Sequence, residues 1–389
     1  MDAPFPFGFP GPTAFYLSLY VLALVVHVLF MNYVLAGAAY LAIRAWRRPP
    51  TPYPVDPNHS NPAIHYPATI AGLISDWLPA MLSGAITAGV APLLFLQILY
   101  QREFYTANLL LFNRWMAILP VLIIGFYALY IVRTDWLARQ RKWLKALAFF
   151  FPFACIAFVA YSWTENHLLS VESPEQWRVF YARDRQLFYT PAIVPRLVVW
   201  AFGSLPTLCV WLGWQLWYRG AHGDRPPADE HRKLARLAFL GLSLALVGGI
   251  WYYVASTNAV RALLTGDVAM PYFVIASIGM AAQTTAWLLQ YRAAAFDRRW
   301  LVLAAVGVVS TIFGMTVCRE VVRLDALGPA RLAELYPIHA AAADVEGFPV
   351  FLTFAVINGG LIALCFLLVR HGLKGSLKAH ANANGVRQP

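Results

Sequence analysis

Residues 13–43 read TAFYLSLYVLALVVHVLFMNYVLAGAAYLAI, a run without Asp, Glu, Lys or Arg that ends at Arg44, Arg47 and Arg48. A helix needs about 20 apolar residues to cross the hydrocarbon layer, so this stretch predicts a membrane span with a basic end. Working outward from it, eight further apolar runs follow, at about 72–100, 108–132, 146–164, 192–218, 234–256, 268–290, 300–319 and 347–369. Basic residues cluster after alternate runs: Arg133, Arg139, Arg141, Lys142 and Lys145 after the third, Arg219, Arg225, Arg232, Lys233 and Arg236 after the fifth, Arg292, Arg298 and Arg299 after the seventh, and Arg370, Lys374, Lys378 and Arg387 after the last. The intervening connections are poorer in basic residues and carry acids such as Glu103, Glu165, Glu172, Glu175, Asp184, Asp325, Glu334 and Glu346. Cytoplasmic loops are enriched in Lys and Arg. The expected fold is therefore all-α and integral to the membrane, with about nine transmembrane helices, the N-terminus outside and the C-terminus cytoplasmic.

Composition points the same way. The chain is 60% hydrophobic and 13% charged, with a mean hydropathy of +0.57, against about 25% charged residues in soluble domains. One transmembrane helical domain, 1–375, with a cytoplasmic tail, 376–389, accounts for all of it. The net charge of +11 sits in short loops at helix ends, where it meets anionic lipid and sets orientation; nucleic-acid binding is excluded on that ground. Met1 to Pro12 lacks the basic n-region and small-residue cleavage site of a secretory signal, so the first helix is expected to remain as an anchor. Cys155, Cys209, Cys318 and Cys365 are scattered singly, which speaks against c-type haem attachment, iron–sulfur clusters and zinc ribbons.

Pro49 to Pro67 and Gly220 to Glu230 are rich in turn formers and read as cytoplasmic loops. Two outer connections are long: about 165–190, with a surface helix expected near Glu175 to Arg185, and about 321–346, where GPARLAELY resembles a short helix. No internal repeat is present.

Polar residues inside apolar runs carry the chemistry, because the bilayer otherwise excludes them. His27 is the only histidine deep in such a run. It can ligate haem iron through one nitrogen while a neighbouring group holds the other, or simply hydrogen-bond to an adjacent helix. Arg319, Glu320 and Arg323 in CREVVR form the second cluster. A carboxylate between two guanidinium groups stays ionised and can act as an iron ligand or proton carrier, with the arginines on haem propionates or quinone oxygens; the plain alternative is an interfacial ion-pair belt. Arg196 reads as a snorkelling residue. The histidines at 59, 65, 167, 222, 231, 339, 371 and 380 are expected in solvated loops or helix ends. In the second run, Gly84 and Gly89 permit close helix approach, while Pro92 predicts a kink and Gln97 adds an amide.

These motifs resemble a known family. The His27 segment, H-V-L-F-x6-G-x3-L-A-I, is similar to the first helix of subunit I of cytochrome bd quinol oxidases, where that histidine is an axial ligand of a high-spin haem. Gly84 to Val90 resembles the family's second helix, and C-R-E-V-V-R resembles its E-x-G-R-Q-P-W motif, whose glutamate ligates high-spin haem. The resemblance implies iron ligation by His27 and Glu320 and an oxygen-side role for Arg323. It also shows departures. Pro195 or Arg196 stands where the family has the histidine of its low-spin haem, and Ser277 where it has the methionine. Asn113 and Val121 lie near two glutamate positions, Leu324 and Asp325 replace the motif's Gln-Pro, and Thr257 to Asp267 is too short for a quinol loop.

The sequence thus leads to a bd-oxidase-like integral membrane subunit of a respiratory electron-transfer complex in the bacterial inner membrane. It would bind haem b at one or two sites, and receive electrons from partners: other membrane subunits and a periplasmic c-type cytochrome docking on 165–190 and 321–346. A haem-free scaffold that anchors a redox partner is the alternative. A transporter would show paired broken helices in an inverted repeat, and none is seen.

Overall fold

The computed structural model describes residues 1, 3–47, 69–132, 134, 137, 140–183, 187–221, 229–345, 349, 352–361, 363, 364 and 367. Several expectations lie outside them: the 49–67 connector with His59 and His65, the loop with His222 and Arg225, Arg48, Arg133, Arg139, Asp184, Glu346, Cys365 and Arg370, and residues 371–389, which include His371, Lys374, His380 and the tail.

Every regular element among the described residues is an α-helix: α1 Gly11–Arg47, α2 Ile70–Leu99, α3 Gln101–Leu110, α4 Phe112–Ile131, α5 Lys142–Ser170, α6 Pro174–Ala182, α7 Ile193–Ala221, α8 Glu230–Ala255, α9 Asn258–Leu264, α10 Met270–Arg292, α11 Arg298–Asp344 and α12 Leu352–Leu361. Eight of these, α1, α2, α4, α5, α7, α8, α10 and α11, are long and apolar enough to cross a membrane. The protein is an all-α, multi-span membrane protein. Of the expected ninth span, α12 is the described helical part.

Two compact units divide the chain, Met1–Leu335 and Tyr336–Pro389. In the first, α1 packs along α2, α5 and α7, and α8 lies between α7 and α10. The core is built from buried Leu, Ile, Val and Ala where these helices meet, with Tyr33 and Trp287 as its largest fully buried side chains. Small residues set the tightest approach. A Cβ placed on Gly307 would lie 2.7 Å from the Gly279 carbonyl oxygen and 3.0 Å from the Gln283 nitrogen, so α10 and α11 touch backbone to backbone. Gly307→Val is expected to force these helices apart and lower the yield of folded protein, measured by size-exclusion chromatography in detergent; Gly249→Val, where a Cβ meets nothing, should leave it unchanged. In the second unit, the Tyr336 and His339 rings pack edge to face at 6.5 Å, and α12 presents apolar residues.

Two boundaries differ from the sequence reading. The connection expected from 321 is helical through Asp344, bending at Gly328, whose φ of 72° only glycine adopts readily. Leu324, Leu327, Leu332 and Leu335 are all buried, so a helical apolar stripe persists although charged residues lower the hydropathy. Likewise α5 runs on to Ser170 and takes Glu165 and His167 into the helix. The surface helix expected at 175–185 is present as α6, with the Ser173 oxygen accepting from the Gln176 N–H at 3.3 Å and Pro174 in the first turn. The Glu175 backbone N–H and the Ser173 side chain hold the Glu175 carboxyl below its ordinary range.

Candidate functional site

α11 brings CREVVR against the ends of α1, α2 and α5. Glu320 is 0% exposed. One of its oxygens accepts from Arg319 Nη2 at 2.7 Å and Nε at 3.0 Å, and the other accepts from the Tyr100 O–H at 2.7 Å. Arg319 Nη2 also donates to the Tyr20 oxygen on α1 at 2.9 Å. Arg323, 2% exposed, stacks on the Tyr100 ring with its guanidinium carbon 3.7 Å from the centroid and donates to Ser170 Oγ at 3.3 Å. Its Nε and Nη1 are buried without a partner. The triad therefore carries two cations against one carboxylate in a water-poor setting, which favours a further anion or acceptor beside Arg323.

His27 sits elsewhere on α1. Its Nδ1 is 2.9 Å from the Ala85 carbonyl oxygen, and a carbonyl can only accept, so Nδ1 carries the proton and Nε2 presents its lone pair. The ring fills the space left by Gly89, where a Cβ would lie 2.8 Å from His27 Cε1. Among the described residues nothing hydrogen-bonds to Nε2. This is the second-sphere arrangement of a ligating histidine, one nitrogen fixed by a backbone carbonyl and the other open.

The two places are separate. Tyr20, which touches the triad, and His27 are seven residues apart on α1, roughly 10 Å at 1.5 Å per residue, and Tyr100, which caps the end of α2, is eleven residues beyond Gly89, roughly 16 Å. His27 and Glu320 thus do not share an iron in this arrangement.

Other charged groups gather around the triad. His167, expected to be solvated, is half-buried on α5 within electrostatic reach of Arg323, Arg196 and Arg319. Arg196 does not simply snorkel: it donates to the Tyr252 oxygen at 3.2 Å, linking α7 to α8. Ser277 is exposed and its hydroxyl returns to the Phe273 carbonyl. Three pairs were not legible in the sequence: Glu165, 0% exposed, with Arg114 at 2.8 Å and the Phe188 N–H at 2.6 Å; Glu103 with Arg331 at 3.2 Å; and Asn166 with Asn108 at 2.7 Å. The three side-chain pairs join residues more than fifty positions apart, so no local motif signals them. His231 is buried against Phe296 rather than solvated. Cys155, Cys209 and Cys318 are free and buried, as expected for small core residues. Among the described residues, no group of three or more His, Cys, Asp and Glu side chains is placed to hold a metal ion.

Compared with family models, curated proteins and solved structures, the chain matches none.

Proposed function

We propose that the protein is an integral membrane subunit of a bacterial respiratory electron-transfer complex, similar in plan to subunit I of cytochrome bd, with a haem b site at His27. The observation that carries this reading is the His27 imidazole, fixed on Ala85 and open at Nε2 in the middle of a span. The free Nε2 of His27 is the donor that would hold the haem iron. Haem b, when bound, supplies one-electron chemistry. The chain's residues do the rest: Ala85 orients the ligand, and Arg319 and Arg323 offer guanidinium groups to propionates or quinone oxygens. Glu320 fits iron ligation less well, because both oxygens are already occupied by Arg319 and Tyr100. In this reading it is the counter-charge that holds the arginines in place.

The occupied Glu320 oxygens favour one second reading, a haem-free scaffold that keeps the fold and anchors a redox partner. Either way Arg196 and Ser277 provide no ligands for a low-spin haem, so electrons must come from another subunit, with a periplasmic c-type cytochrome the chemical class proposed for it and the 165–190 surface its docking place. Extraction in mild detergent is expected to co-purify a cytochrome or iron–sulfur protein; a fully active isolated chain would refute the partner. The bacterial inner membrane and the N-out, C-in orientation complete the proposal. A reporter fused after Pro389 is expected to be active on the cytoplasmic side alone, because inversion would put the basic loops on the outer face; periplasmic activity would overturn it.

A further inference from the structure

α6 lies over the junction of α3 and α4, and a cavity of about 710 Å³ opens between them, walled by Leu109, Phe158 and Phe180 and floored by the first turn of α4. A smaller one, about 380 Å³, adjoins it and shares Leu110 and Tyr181. The polar residues that line the pair are Arg114 and Asn113 in the larger, Arg102 and Arg178 in the smaller, and Tyr181 in both. Three arginines line this space and no acidic residue does. Glu165 and Glu334, the ion-pair partners of Arg114 and Arg102, belong to neither lining. α4 adds donors at the same end. Its cap residue, Leu111, offers no side-chain acceptor, and its first backbone hydrogen bond is Trp115 N–H to the Leu111 oxygen at 2.8 Å. Because α4 crosses the membrane, its first turn stands at headgroup depth, with the apolar wall running from there toward the acyl layer along Ala117 and Phe158.

We propose that this double cavity is a binding site for one anionic phospholipid, with the phosphate among Arg114, Arg102 and Arg178 and an acyl chain on Ala117, Phe158 and Phe180. Charge complementarity selects the anion, and the apolar wall selects a lipid over a free anion. None of its lining residues is among those that hold His27, and the site is independent of the haem reading.

Native mass spectrometry of the full chain in neutral detergent tests it, with phosphatidylglycerol, phosphatidylcholine of the same chains, and inorganic phosphate as probes. One phosphatidylglycerol should bind at least about five-fold tighter than phosphatidylcholine, the attraction of roughly one basic side chain for an anionic lipid, and phosphate alone should not displace it. Ala117→Trp, which fills the apolar wall, should abolish that preference, and Ala182→Trp fills the same space from α6 should the first variant fail to assemble. Arg178→Gln, on an exposed face of α6, should weaken it without loss of fold. Equal binding of the two lipids, displacement by inorganic phosphate, or an unchanged preference in both tryptophan variants would overturn the site. The pyridine haemochrome of Ala117→Trp, measured in parallel, should equal that of the parent, which separates failure here from failure at His27.

Discussion

Glu320→Gln is expected to destabilise the protein by about 3–5 kcal/mol, the range for a buried ion pair stripped of one partner. The amide keeps the shape of the carboxylate but not its charge, leaving Arg323, 2% exposed, and Arg319 without a buried anion beside them. The lower end of the range applies, because 32% of the Arg319 side chain is exposed and water screens part of its charge. Two controls apportion the loss. Tyr100→Phe retains the ring under Arg323 while removing the O–H that donates to Glu320, which should cost about 1–3 kcal/mol. Arg102→Gln breaks the pair with Glu334, whose side chains are 51% and 63% exposed, and should cost under about 1 kcal/mol. Apparent melting temperatures in one detergent order the three variants; a Glu320→Gln protein as stable as Arg102→Gln would show that the triad is not a charged structural centre.

That ordering also explains which parts of the molecule the sequence discloses. Membrane spans are legible because the bilayer imposes a length and a composition on each, and runs such as 13–43 satisfy both without reference to any other helix. His27 and the Arg319–Glu320–Arg323 triad are legible for a related reason, since a polar side chain in or beside an apolar run is costly wherever the rest of the chain lies. Their partners are not. Tyr100 meets Glu320 across 220 residues and Tyr20 meets Arg319 across 299, and each reads as one more aromatic among many. Hydropathy also misplaces helix ends. Glu165 and His167 look like the start of a loop until Arg114 and the Phe188 N–H satisfy the buried carboxylate. At 321–344, charge on one helical face hides the leucine stripe on the other.

The largest functional effect is expected at His27. His27→Ala removes the proposed iron ligand, so the high-spin haem signal should be lost or shifted in the reduced-minus-oxidised spectrum, with haem b content by pyridine haemochrome falling in proportion. A histidine that only ties α1 to α2 would give a different result. Its removal deletes one hydrogen bond to Ala85 at 2.9 Å and some packing, a change of about 1–3 kcal/mol in stability with no spectral consequence. Gly89→Ala separates these further without touching the imidazole itself. The new methyl would lie 2.8 Å from His27 Cε1, closer than side-chain atoms tolerate, so the ring must swing off α2 and Nδ1 must leave the Ala85 carbonyl. A ligand displaced in this way changes iron coordination, and the spectrum of Gly89→Ala should move toward that of His27→Ala while Ala85, the triad and α11 stay as they are. Wild-type protein freed of its cytochrome partners is the deciding sample: haem b retained there supports ligation, and its complete absence removes the ligand role and leaves the scaffold.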